Sequence, residues 1–259
     1  TNSKAIQYLA KGNLESQIHS SHELRTGFEF KAHEINRHRI GMPTLPTLEF
    51  FTYRPIEAAA YVQDKVEYSF MILKAGVRLD YFDPRASEYP DPAKIIEIMT
   101  GSGGTAEYTT LPKTAVSPHL QISPRIGIAH PISDKTSIHF AYGHFFQIGS
   151  LSSLYSNPNF RAPLSSTPSF GNPDVRPQKS TQYELGLQQG LTEDLKVELT
   201  GYYKDVRDYI YSQRVITARG GEGFISTGGF STTVHEYAHR LQHAIPELDD
   251  YFQSIHGRR

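Results

Sequence analysis

The chain of 259 residues carries 26 Lys and Arg against 27 Asp and Glu, with 12 His, no Cys, no Trp and 38% hydrophobic residues. Near-zero net charge argues against nucleic-acid binding through bulk positive potential, and the balanced composition argues against wholesale disorder. Without Cys there is no disulfide framework, thiol nucleophile or Cys-ligated metal centre, and no apolar run approaches the ~20 residues of a spanning helix.

The chain begins at Thr1 with no basic-then-apolar leader, which reads as a mature piece or an excised fragment. From there the organising signal is alternation with a period of two, the strand period. After a weaker ribbon over 12–20, residues 22–35 set Leu24, Phe28, Phe30 and Ala32 against Glu23, Arg25, Glu29, Lys31 and His33. Residues 56–68 set Ile56, Ala58, Ala60, Val62 and Val66 against Glu57, Gln63, Lys65 and Glu67, and 70–82 set Met71, Leu73, Ala75, Val77, Leu79 and Tyr81 against Lys74, Arg78 and Asp80. The same pattern returns over 121–132, 136–148, 181–191 and 195–210, for about eight strands.

Short links near 20–21, 69, 133–135 and 192–194 alternate with long ones at 36–55, 83–120 and 149–180, the latter rich in Pro, Gly, Ser, Thr and Asn. Tight turns at one end and long loops at the other, joining strands of ~10 residues, are the pattern of an antiparallel up-and-down outer-membrane β-barrel. A soluble β-sandwich shares the alternation, but loops this long are uncommon in compact soluble domains. Aromatic residues also gather toward segment ends, as interfacial girdles require.

Three stretches, AAAYVQDKVEYSFMILKAGVRLDYFDP (58–84), ISPRIGIAHPISDKTSIHFAYGHFFQIGSLSSLY (122–155) and GNPDVRPQKSTQYELGLQQGLTEDLKVELTGYYKDVRDYI (171–210), resemble the barrel strands of TonB-dependent outer-membrane receptors, with the Oar-like branch nearest. The resemblance spans roughly 10–215. It implies a cell outer-membrane location among lipid, a barrel of about twenty-two strands around an N-terminal plug, and uptake of a ligand driven by the TonB complex. The matching stretch contains neither plug nor TonB-contacting segment, so the expectation is a barrel portion over 1–215.

Beyond Arg219 the composition changes, to a Gly-rich linker (216–230) and then a helix expected over 231–244, with Ser231 or Thr232 as cap and Pro246 just past its end. Inside it lies an H-E-x-x-H match: His235 and His239 would sit one helical turn apart and share a Zn²⁺, with Glu236 as general base of a metallopeptidase. The third ligand is open among Glu247, Asp249, Asp250 and His256. The extended metzincin pattern fails, because Gln242 and Ile245 stand where it asks for Gly and His. Residues 231–259 resemble an HExxH zincin-like module of phage head-morphogenesis proteins. The two resemblances together suggest a chimera with a change of character between 212 and 232.

Other candidates are weak. The Gly runs at 101–104 and 220–223 do not lead from a strand into a helix as a phosphate cradle does. His33 and His38, beside Glu34 and Arg37, could bind a metal at a loop base but read better as a solvated strand end, and Asp80, Asp83 and Asp91 lack the EF-hand order. The leading expectation is a transporter portion, the alternatives a zinc metallopeptidase-like protein and an inert fused fragment.

Overall fold

Alternating ribbons form a sheet because pairing satisfies every backbone N–H and C=O while sorting the side chains to two faces. The computed structural model describes residues 2–41, 47–88, 113–156, 169–216 and 222–243. In chain order the elements are β1 (Asn2–His19), β2 (His22–Gly41), β3 (Thr47–Tyr53), β4 (Ile56–Tyr68), β5 (Met71–Asp83), β6 (Ser87–Glu88), β7 (Thr114–Ala115), β8 (His119–Ser133), β9 (Thr136–Gln147), helix α1 (Leu151–Tyr155), β10 (Ser169–Phe170), β11 (Gln178–Gly190), β12 (Leu195–Ile216) and β13 (Glu222–His243). The long strands pair in sheet order β1-β2-β4-β5-β8-β9-β11-β12-β13, each antiparallel to the next. β3 folds back along the end of β2, and β10 adds two residues parallel to β13.

All eight expected ribbons are present as β1, β2, β4, β5, β8, β9, β11 and β12. Two expectations need correction. The link drawn over 36–55 is largely strand, because β2 runs on to Gly41 and β3 returns along it from Ile40↔Leu48 to Ile35↔Tyr53. The helix expected over 231–244 is instead β13, a ninth long strand paired with β12 from Leu195↔His243 to Ile216↔Glu222. A free edge of 22 residues on β12 offers more backbone partners than local helix signals can outweigh. β12 and β13, on either side of 217–221, therefore belong to one sheet, and the strand count among the described residues exceeds eight. The register breaks in that pair lie between Val206 and Tyr211, a bulged stretch in which Asp208 has a positive φ of 55°. Among the described residues β1 and β13 do not pair, so the sheet is not a closed barrel.

The buried core gathers at the end where the long connections lie. Phe82, Ala86, Leu154, Tyr155 and Val175 form it, and Ile35, Phe51, Tyr53, Ile148 and Ile210 pack against it. α1 is capped by Ser150, whose Oγ accepts from the Ser153 N–H at 3.2 Å. The helix exit is clasped by 171–172: Gly171 N–H donates to Ser156 O (2.7 Å) and Asn172 N–H to Ser153 O (2.8 Å). A Cβ on Gly171 would stand 2.6 Å from the Ser156 nitrogen and 2.8 Å from the Leu154 carbonyl, both rigid backbone. Gly171→Ala is expected to destabilise the folded chain by ~1–3 kcal/mol through overpacking. Denaturant titration beside a Ser169→Ala control, expected within about 0.5 kcal/mol of the native chain, checks this.

Candidate functional site

Register lines up the polar face. Across β2, β4 and β5 one row reads Lys31, Glu57, Phe82, the next Glu29, Ala59, Asp80, and the next Gly27, Tyr61, Arg78. The charges on this face are already matched. Lys31 Nζ lies 2.7 Å from Glu29 and 3.4 Å from Glu57, His33 Nε2 2.8 Å from Glu57, and Arg78 Nε 2.7 Å from Asp80. Nearer the short turns, Arg25 bridges Glu23 (2.6 Å) and Glu15 (3.1 Å), and Lys65 pairs with Glu67. Partly exposed pairs of this kind contribute ~0–1 kcal/mol each, so they keep the face wettable more than they hold the fold.

The short side chain of Ala59, between Glu29 and Asp80, leaves a hollow. It is the floor of a cavity of about 420 Å³ whose wall includes Lys31, His33, Glu57, Arg78 and Phe82. Its other side is residues 146–151, at the end of β9 and the start of α1. Because β9 stands four places from β2 in the sheet, the chain leaving β9 must lie over the polar face to meet that wall. Tyr155 fixes it there: its ring stacks on Tyr53 with centroids 4.5 Å apart, and its hydroxyl donates to Pro84 O at 2.8 Å. Burial pushes the Tyr155 phenol well above its ordinary range, keeping it a neutral donor.

The opposite face is apolar and uncovered. Phe28 and Phe30 on β2, Val77 and Leu79 on β5, Ile122 and Ile126 on β8, Leu185 and Leu187 on β11, and Leu199 on β12 are all exposed. Among the described residues twenty-six large apolar side chains are exposed while nine hydrophobic residues are buried, the reverse of a water-soluble domain. Tyr142, Tyr183 and Tyr203 stand in one register row across β9, β11 and β12, with ring centroids 4.9 and 5.9 Å apart. Their row crosses the apolar face near the middle of β9 and β11.

The sequence profile described as "TonB dependent receptor-like, beta-barrel" matches residues 2–257. This chain belongs to the TonB-dependent receptor β-barrel family. Solved structures agree on the fold. The siderophore receptor PirA from Pseudomonas aeruginosa superposes with a TM-score of 0.66 at 16% identity, covering 92% of this chain and 40% of that one. The copper transporter OprC gives 0.60 at 17%, covering 94% and 36%, and the hemophore receptor HasR of Serratia marcescens gives 0.64 at 16%, covering 92% and 39%. The chain thus spans about two-fifths or less of the receptors it matches. No curated protein matches its sequence.

The family match also crosses the expected seam without interruption. In this receptor strand His235 pairs with Tyr203, Glu236 with Tyr202 and His239 with Leu199. Four residues along a strand span ~13 Å, against the ~6 Å of one helical turn. The spacing on which a shared Zn²⁺ rested is therefore absent, and with it the geometric basis of the metallopeptidase alternative. The third-ligand candidates Glu247, Asp249, Asp250 and His256 lie outside the described residues, as does Asp91. His33 is tied to Glu57, and Asp80 to Arg78. Among the described residues no group of three or more His, Asp or Glu could hold a metal ion.

One acidic contact escaped the sequence reading because its partners are far apart in the chain. Ala86 and Val175 share the buried core, which carries the nearby Glu88 and Asp174 carboxyls together. Burial first, and the Asp174 charge second, push Glu88 up to about 7 from an ordinary 4.5. A carboxyl raised on folding favours the folded contact fully below about pH 4.5 and loses that contribution as pH rises through about 7. Amide exchange over 84–88 and 171–175, corrected for intrinsic rates, is expected to be slower at pH 5 than at pH 8. Glu88→Gln is expected to remove the difference.

Proposed function

We propose that this chain is part of the wall of an outer-membrane receptor, with its apolar face against lipid and its polar face lining the passage through which a ligand is taken up. The observation that carries the reading is the pairing of opposites on one sheet: an uncovered apolar face behind a face of matched charges. A barrel wall needs this, because lipid accepts only side chains that ask for no water, whereas a lumen must stay hydrated. The energy for uptake would come from the TonB complex, as family membership implies, through parts of the receptor other than this wall.

The ends of β2, β5 and β9 from which the long connections depart share one end of the sheet, and those connections would face the ligand. The relatives are named for a siderophore, copper and a hemophore. Cargoes so different on one barrel fold assign selection to the connections rather than to the wall.

Two positions on β11, three residues apart, test the reading. Leu185 is exposed on the apolar face, and Gln182 lies on the polar one. Leu185→Arg is expected to lower stability in lipid by ~2–4 kcal/mol if it sits near mid-bilayer, and Gln182→Arg by less than about 1 kcal/mol. Urea titration of the chain folded into lipid vesicles, read by heat-modifiable gel migration, measures both. Equal effects of the two substitutions would sink the reading.

A further inference from the structure

We propose that residues 148–156 are a lid over the polar-face cavity, released by withdrawal of Tyr155. Ile148, Gly149 and Leu151 line one side of the cavity, opposite Glu29, Lys31 and Asp80. The sequence of this segment, IGSLSSLYS, carries no charge, so no ion pair ties it to the charged wall beneath. Its attachment lies outside the cavity instead. Tyr155, 2% exposed, stacks on Tyr53 and donates to Pro84 O, and the backbone clasp from Gly171 and Asn172 holds the far end. A roof with no charged bond to its own room, fastened at its margin by Tyr155, the buried Leu154 and the backbone clasp, can lift without breaking the ion pairs of the wall. Lifting it opens a charge-lined, water-accepting space to the side on which the long connections lie.

This inference rests on the polar face being a wetted lumen, and one experiment separates the two. The chain has no Cys, so single Ala59→Cys and Glu184→Cys variants of the full chain in lipid report only their own sites. Ala59 lines the cavity, whereas Glu184 is exposed on the same face away from it. The probe is a positively charged, membrane-impermeant methanethiosulfonate. Loss of an aromatic stack and a hydrogen bond corresponds to roughly a tenfold change in opening. Tyr155→Ala is therefore expected to speed modification of the Ala59→Cys variant about tenfold and to leave the Glu184→Cys variant unchanged. Tyr155→Phe, which keeps the stack and loses only the bond to Pro84, is expected to fall between and guards against a variant that fails to fold. The lid is overturned if neither substitution alters the rate at the Ala59 site, or if Tyr155→Phe raises both sites together. If the Glu184→Cys variant is itself unreactive in the folded chain, the face is not a wetted lumen and both readings fall.

Discussion

Hydrocarbon offers no partner to a backbone N–H or C=O, so a chain that crosses a bilayer in extended form must pair every ladder within itself. That constraint explains the shape of this sheet better than any single contact does. Among the described residues nine long strands follow one another in sequence and in space, each antiparallel to the last, with tight turns at one end. Hairpin succession leaves no interior strand unpaired. It also explains β13: twenty-two residues of β12 present an edge, and the chain that follows satisfies it along nearly its whole length.

The two faces follow from the same solvent boundary. In a water-soluble sheet one face hides against a second layer, and among the described residues the apolar face has none. The polar face compensates its charges by neighbour pairing across strands, so Lys31 is matched by Glu57 and Glu29 without deep burial. Structure beyond the sheet concentrates at the long-connection end. There a small core built on Phe82, Leu154 and Tyr155 gathers segments that leave β5 and β9 and one that enters β11. The site most open to function is therefore also the best packed part of the chain, which gives it fixed walls and one detachable piece.

The strand faces were legible in the sequence because a period of two is a local signal that lipid and water enforce at every step. Lys31, Arg78 and Asp80 stand on the face that alternation assigned them, and Val77 and Leu79 on the other. The tail misled for an equally local reason: Ser231, Thr232 and Pro246 are good helix punctuation, and H-E-x-x-H draws its meaning from helical spacing. The β-branched run Thr232-Thr233-Val234 was the contrary signal, and the waiting edge of β12 decided between them. β3 lay hidden in a segment read as loop, although Phe50, Phe51 and Tyr53 are strand-forming residues. Tyr53 with Tyr155, and Glu88 with Asp174, had no local signal, because packing between distant segments brings each pair together.

The central claim is that the apolar face of this sheet meets hydrocarbon. Spin labels placed one at a time at positions 77–80 of β5 in lipid vesicles test it most directly, by the accessibility of each label to oxygen, which concentrates in lipid, and to a water-soluble nickel chelate. A lipid-facing strand predicts alternation, with oxygen favoured at 77 and 79 and the nickel complex at 78 and 80. Positions 77 and 79 shielded from both reagents would instead mean that a second protein layer covers this face, and the membrane reading would be contradicted.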